Sequence, residues 1–515
     1  MFDNLTLKQA QELVPQAAEW QESNEAFYRG DHWQNGLGWS GPMLESTHRL
    51  YQETMAQIRR GFVSKNVVKE IVGRHVAGVV GREPAWVVTV RRPLNEGEQP
   101  TGQEQALIAE AESLLVGWWD GQQGALTEED EDELAGVHKT IQAAVAKMLL
   151  AKRGALRLFV PPGELNEAGQ VPRGTLEESI RRIYVHQPAA EQATVKVDRA
   201  RMAGIGVYLY QEGREERAEL TYLNGTATVV RIVRAGDEDA TIGLSPLKLG
   251  GRLTMYEMRR PLLVTEQVRQ LQKALNLGLT MMQRNVVQAG FLERTFFNTQ
   301  LPGKNVPDPD RPGQVKFVPE PLHVGSGVTN FLSGISYEDA EGNTQVATPS
   351  VVYRDPVSVA VFEATERSAY RGILEEVQQG HALLAGEAAP SGESRRQARS
   401  DFEESLLLTK SEVNGAIRWL LETVLAMAAV FSGQPDRFAG LRVNAEARLN
   451  LGAMSAEDQK LVGELVDKEL ISRETGMGRI GIEDTDAEKG RIRQEREEKS
   501  QSLAASLLKA QGQFD

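Results

Sequence analysis

The pattern that most limits this fold is a stripe. Val268, Leu271, Leu275, Leu279, Met282 and Val286 recur at spacings of three and four, which places them on one face of a helix of about 25 residues. An average helix has about 11 residues, so this one is long for a lone globular unit. A second helix is expected from about residue 357 to 379. A third and longest one carries Phe402, Leu406, Val413, Leu420, Val424, Met427 and Phe431 on one stripe and stops at Ser432, Gly433 and Pro435. Between the first two helices the chain is rich in Pro, Gly and Asp, with a short strand around Val315 to Val318. Between the second and third lies a loop of small residues, Gly380 to Ser394.

Upstream of the stripe, residues 1 to 60 read as helical pieces broken by a Gly- and Trp-containing loop, Gly30 to Pro42. A helix is expected over Val63 to Val80, a strand over Ala85 to Arg91, and a polar stretch over residues 94 to 136. A helix over Val137 to Lys152 and a strand over Ala155 to Val160 follow. From Arg181 to Arg260 the period changes to two, and IYVHQP, ATVKVD, GIGVYLYQ, AELTYL, TATVVRIV and RLTMYEM predict one half-buried antiparallel sheet. After the longest helix come a strand, LRVNAEARLNL, a helix from Ala456 to Leu470 opened by Ser455 with Asp458, and a charged helix from about Asp486 to Lys499.

Composition narrows the function classes. The chain has 515 residues, 41% hydrophobic and 25% charged, as expected of a folded chain of about three or four units. It has no cysteine, which excludes disulfides, thiolate zinc sites and a cysteine nucleophile. The longest apolar stretch, Trp419 to Phe431, is shorter than the about 18 residues of a membrane span, so no membrane partner is expected. The first residues lack a basic region followed by an apolar run, and cytoplasmic synthesis is the expectation. The net charge of −14 argues against a protein that coats a nucleic-acid backbone, since such binders neutralise phosphates with Lys and Arg.

Chemistry-bearing motifs are scarce. Gly36 to Gly41 and Gly476 to Gly481 both match G-x-G-x-x-G, but neither follows a strand and opens a helix as a dinucleotide site requires. The six acids from Glu128 to Glu133 repel one another and read as a solvated run rather than a metal site. No nucleophile elbow, phosphate loop or H-E-x-x-H is present, and the seven histidines are dispersed. No catalytic residue, metal or cofactor is expected, although the many carboxylates leave a carboxylate-based hydrolase open as a minor alternative.

The order of these elements resembles the portal proteins of tailed double-stranded-DNA bacteriophages. Local sequences carry the likeness: NVVKEIVGRHVAGVVGREPAW from Asn66, RRPLLVTEQVRQLQKALNLGLTMMQRNVVQAGF into the first long helix, the Ser391-Gly392 start of the longest helix, and AEDQKLVGELVDKELISRETGMGRIGIEDTDAEKGRIRQERE. After Ser391-Gly392 this chain has Glu-Ser-Arg-Arg where many members carry small residues and a Lys. The resemblance implies an α+β, mainly helical fold. Residues 1–264 would form a wing with an antiparallel sheet, 265–292 and 357–379 two stem helices, and 293–356 a small α/β clip. Residues 380–394 would form a tunnel loop, 395–454 a long wing helix and return strand, and 455–515 a helical crown.

It further implies a virion protein at one capsid vertex: a homo-oligomeric ring, usually twelve subunits, through whose hole double-stranded DNA is packaged and ejected. Its partners would be the terminase large subunit, later the head-to-tail adaptor, and the major capsid protein and scaffold. The alternative is another ring-forming head-tail adaptor or capsid-associated protein. His381, Leu384, Ser391, Ser394, Arg395, Arg396 and Arg399 become candidates for the DNA channel, and Lys304, Arg311 and Lys316 for partner contacts in the clip. The three arginines could equally pair with Glu403 or Glu404, and the clip cations could be solvated loop charges. A wall of net negative charge would let DNA slide rather than stick.

Overall fold

A computed structural model describes the chain apart from residues 1, 3–4, 34–48, 96–97, 122–135, 167–169, 199–202, 226, 235–243, 291–293, 301–302, 321–332, 339, 354–356, 386–391, 451–455, 471, 474–475, 478–488, 490 and 494–515. Both G-x-G-x-x-G stretches, the first wholly and the second in part, and the acidic run 128–133 lie outside the described residues.

The chain opens with helices α1 (Leu7–Leu13), α2 (Glu19–Arg29), α3 (Arg49–Arg60) and α4 (Val67–Val80), then strand β1 (Ala85–Val90) and helices α5 (Gly102–Gly121) and α6 (Val137–Ala151). Helix α5 falls in the stretch expected to be merely polar. Its Leu115, Trp118 and Trp119 are buried, and the Trp118 indole donates to the Ile183 carbonyl at 2.7 Å. The polar residues around it are its outer face.

Strands β2 (Arg153–Phe159) and β3 (Tyr184–His186) flank helix α7 (Leu176–Arg181). They are followed by β4 (Ala193–Asp198), β5 (Ala203–Glu212), β6 (Glu215–Asn224), β7 (Ala227–Arg234), β8 (Leu244–Leu247) and β9 (Met255–Arg259). The single sheet expected here is two. Strands β4 to β8 form an antiparallel meander in chain order, while β9 joins β2 and β3 in the order β3-β2-β9. Period two tells which face of a strand is buried but not which strand it pairs with. Arg157 on β2 joins the two sheets through an ion pair to Glu219 on β6, its guanidinium lying 4.4 Å from the Phe159 ring and 4.7 Å from Tyr208.

Helix α8 (Glu266–Gly290) leads out of this body to strands β10 (Arg294–Phe297), β11 (Thr299–Gln300), β12 (Gly303–Pro307), β13 (Val315–Pro319), β14 (Ser333–Gly334), β15 (Ser336–Glu338), β16 (Thr344–Val346) and β17 (Ser350–Tyr353). These pair as four separate two-stranded ladders, β10 with β17, β11 with β14, β12 with β13 and β15 with β16. The described residues of the expected α/β clip form strands and turns, and its residues 321–332 lie outside the described ones. Its Pro, Gly and Asp punctuate the chain too often for a helix to nucleate. Gly303 cannot be replaced without moving Phe317, whose ring an added Cβ would meet.

The chain returns along α8 as α9 (Val359–Glu376), makes a 3-10 turn at Gly380–Ala385, and enters the 40-residue helix α10 (Gly392–Phe431), strand β18 (Leu441–Glu446) and helix α11 (Ala456–Asp467). Strand β18 pairs with β1 from the other end of the chain, Ala85 opposite Glu446 and Val90 opposite Leu441. Of the charged helix expected over Asp486 to Lys499, residues 489 and 491–493 are helical and the rest lies outside the described residues.

Helix α10 is the axis of the core. Val413, Ile417, Leu420, Leu421, Val424 and Ala428 have no exposed surface. By length and composition its segment Gln397–Phe431 could cross a membrane, yet 67% of its most apolar window is buried inside the protein. Helix α4 crosses it closely at Gly78, where an added Cβ would meet Leu406 at 2.9 Å and Phe402 at 3.2 Å.

Candidate functional site

The stripe on α8 is divided. Val268 and Leu275 are fully buried, Leu271 and Leu279 pack against the core, and Val286 is 52% exposed. The chain's own core and α9 therefore cover the upper part of a face that periodicity alone leaves open to neighbouring copies. Only its far end stays bare.

A second face of α8 is buried and polar. Arg269, Gln272, Asn276, Thr280 and Asn285 are all shielded from solvent. Gln272 Oε1 accepts from the backbone N–H groups of Val67 and Val68 at 3.0 and 3.2 Å, and Asn66 Oδ1 accepts from Lys69 at 2.9 Å. Together they cap α4, satisfying its first donors from two directions. Asn285 donates to the Val357 carbonyl at 2.8 Å and accepts its N–H at 3.0 Å, closing the point where the strand insertion leaves and rejoins the helix pair. Sequence reasoning missed this face. Its signal was polar residues three to five apart opposite the apolar stripe, which reads equally well as a solvated surface.

The small-residue loop has a packed base. His381 stacks on Phe402 with ring centres 4.3 Å apart, and Leu383 packs on the core. Burial holds the His381 imidazole below its ordinary range, and the cations Arg74 and Arg399 push the same way. Of the channel candidates, His381 thus faces Phe402 and lies near Arg399, which is half-buried on α10, while Ser394 is exposed in the first turns of α10. Ser391 and the side chains of Leu384, Arg395 and Arg396 lie outside the described residues. Behind the turn, the Arg260 guanidinium donates to His75 Nε2 at 2.7 Å and to Thr409 Oγ1 at 2.6 Å. Burial takes Arg260 down to about 10 and His75 down to about 3, the latter helped by the charge of Arg260.

In the strand insertion, the register sets Lys304 opposite Val318 and Lys316 opposite Val306, so both lysines share one face of the β12–β13 hairpin. Lys304 pairs with Glu320 at 2.8 Å, which raises its pKa, and Arg311 is exposed in the turn between the strands. The three cations are presented on one hairpin. Among the described side chains of residues 296–352 none is buried, and between Leu275 and Ala369 no apolar residue is buried. Val315 is 68% exposed, Val346 63% and Tyr337 54%, and Phe297, Phe317, Val318, Ile335, Val351 and Val352 are exposed with them.

Elsewhere an open cleft of about 260 Å³ is lined by Arg91, Arg252, Glu422, Leu425 and Phe438, with Glu422 bound to Arg252. Among the described residues no group of three or more His, Asp or Glu side chains is placed to hold a metal ion. Comparison with protein-family models and with curated proteins finds no match.

Proposed function

We propose that this chain is the subunit of a portal-type ring: a homo-oligomeric conduit for double-stranded DNA at a phage capsid vertex, with no catalytic centre of its own. The observation that carries this reading is the strand insertion at the far end of the α8–α9 pair. Four two-stranded ladders without a buried apolar side chain among their described residues do not hold themselves together in water, because isolated hairpins are marginal and open strand edges invite pairing. Apolar patches of this kind mark a protein interface. Copies arranged around an axis would bring each insertion against its neighbours, covering these side chains and the exposed ends of α8 and α9, where Val286, Val287, Val359 and Val361 face solvent.

In such a ring the face bearing Lys304, Lys316 and Arg311 would meet the packaging motor and later the head-to-tail adaptor. The segment between the 3-10 turn and α10 would line the bore. The net charge of −14 per chain, multiplied around the ring, suits a wall past which DNA slides. Negative-stain images and mass photometry of the purified protein test the reading. Closed rings with a central hole are expected, and a monomer at all concentrations would overturn it. Rings that bind an adaptor but never a terminase would favour the adaptor alternative.

A further inference from the structure

A buried polar relay joins helix α2, the segment before α4 and helix α8, and its donors and acceptors can be assigned from the backbone outward. Backbone groups have fixed polarity, so they fix the side chains that meet them. Gln272 Oε1 accepts from the N–H groups of Val67 and Val68, so its Nε2 is the donor. That nitrogen reaches the Lys65 carbonyl at 2.8 Å and Asn276 Oδ1 at 3.0 Å. Asn276 Oδ1 also accepts from the Lys65 N–H at 3.3 Å, which turns Asn276 Nδ2 toward His32. This nitrogen lies 2.9 Å from His32 Nδ1, while His32 Nε2 lies 3.0 Å from the Phe27 carbonyl. A carbonyl only accepts, so Nε2 carries the proton. An amide nitrogen only donates, so Nδ1 must be bare.

We infer that this relay is an acid-sensitive clasp: it holds residues 63–68 against α8 while His32 is neutral and loosens when a proton on Nδ1 confronts the Asn276 N–H. Among the described residues, Thr280 Oγ1 already donates to the Asn276 backbone carbonyl at 2.7 Å and accepts from the Val63 N–H at 3.2 Å, and Asn66, whose side chain hydrogen-bonds His32, already accepts from the Lys69 N–H and donates to the Tyr28 carbonyl. His32 is 1% exposed, and burial holds its imidazole below its ordinary range. The charges around it are committed elsewhere. Asp31 pairs with Arg29 at 3.4 Å, Lys65 with Glu366 at 3.2 Å, Arg269 with Glu266 and Asn24, and Arg59 lies over Trp33. The Phe27 carbonyl, the Asn66 side chain and, least, the charge of Asp31 favour the proton, each more weakly than burial opposes it. The clasp therefore stays closed at neutral pH and opens on acidification. Because it ties the N-terminal helices to α8, its opening frees the helix that leads to the strand insertion.

Hydrogen exchange of the peptide covering residues 63–68, corrected for the intrinsic rate, tests this in the assembled protein. Protection should fall at least tenfold between pH 7.5 and 5, and equal protection at both would overturn the proposal. His32→Gln should remove the pH dependence. Asn276→Asp keeps the shape and the acceptor for Lys65 but replaces the opposing donor with a carboxylate oxygen, so its protection should rise, not fall, on acidification. An Asn276→Asp protein that loosens with acid as the wild type does would sink the inference even if His32→Gln failed to fold.

Discussion

At the scale of single residues, the partner of His75 decides its charge. A guanidinium has no lone pair to offer, so the His75 Nε2 that Arg260 approaches at 2.7 Å must accept, and the imidazole is neutral. The folded pKa is near 3 against 6.5 in the unfolded chain. Between those values the unfolded chain binds a proton that the folded one refuses. The stability this group protects is thus complete above 6.5 and falls toward pH 3, by up to about 1.4 kcal/mol per pH unit. His186, buried beside Arg157 and held at about 4, acts in the same direction. In urea unfolding, His75→Gln should lose about 2 kcal/mol less than the wild type between pH 7.5 and 5; equal losses would contradict a neutral buried His75. Gln272 makes a second residue-scale prediction. Gln272→Leu strands the Val68 N–H, while the Val67 N–H keeps the Lys65 carbonyl at 3.1 Å, and should destabilise the fold by about 1–3 kcal/mol. A loss under 1 kcal/mol would mean that water replaces the cap.

At the scale of elements, α8 works through two faces that hold different things. The apolar one joins the core over Val268 and Leu275, and the polar one caps α4 and fastens Val357. Asn285→Ala should raise the exchange rate of the Val357 amide at least tenfold, with the global melting temperature little changed, because the loss is local. The crossing of α4 and α10 is tight at Gly78, and Gly78→Val should cost about 1–3 kcal/mol by forcing Leu406 and Phe402 apart. Long, strongly periodic elements were legible from the chain. The helices expected at 265–292 and 357–379 run as Glu266–Gly290 and Val359–Glu376, residues 291–292 lying outside the described ones, and the stripe from Phe402 to Phe431 stands where its pattern put it. Helix α5 was not legible, since its charged outer face hid the pair Trp118 and Trp119. The packed base of the small-residue loop was not legible either, because His381 is held in place by Phe402, twenty-one positions later and on another element.

At the scale of the whole molecule, the body and the insertion differ in what they need. The body has its own core around α10, whereas the insertion has none among its described residues. Val315→Lys with Val346→Lys should leave the unfolding free energy of the isolated subunit within about 0.5 kcal/mol, since both side chains are already in water there. The same pair should weaken assembly of the proposed ring, read by light scattering after size-exclusion chromatography. Unchanged assembly would show that the insertion is not the contact between copies. In the proposed ring, the packed turn at 380–383 also narrows where a bore could be altered. Deleting within residues 386–391 should spare folding and assembly but impair DNA retention, and full DNA filling would remove that segment from the bore.

The sequence by itself determined the long helices, the block of alternating strands, the lack of thiol chemistry and the excess of negative charge, because periodicity and composition are properties of neighbouring residues. Tertiary structure alone decided that the alternating strands divide between two sheets and that β1 waits for β18. It alone decided which face of α8 is buried polar, which nitrogen of His32 carries its proton, and that His75 is neutral. Those outcomes depend on which groups meet across long separations, and a backbone carbonyl or a guanidinium brought within 3 Å fixes a proton in a way no local pattern encodes.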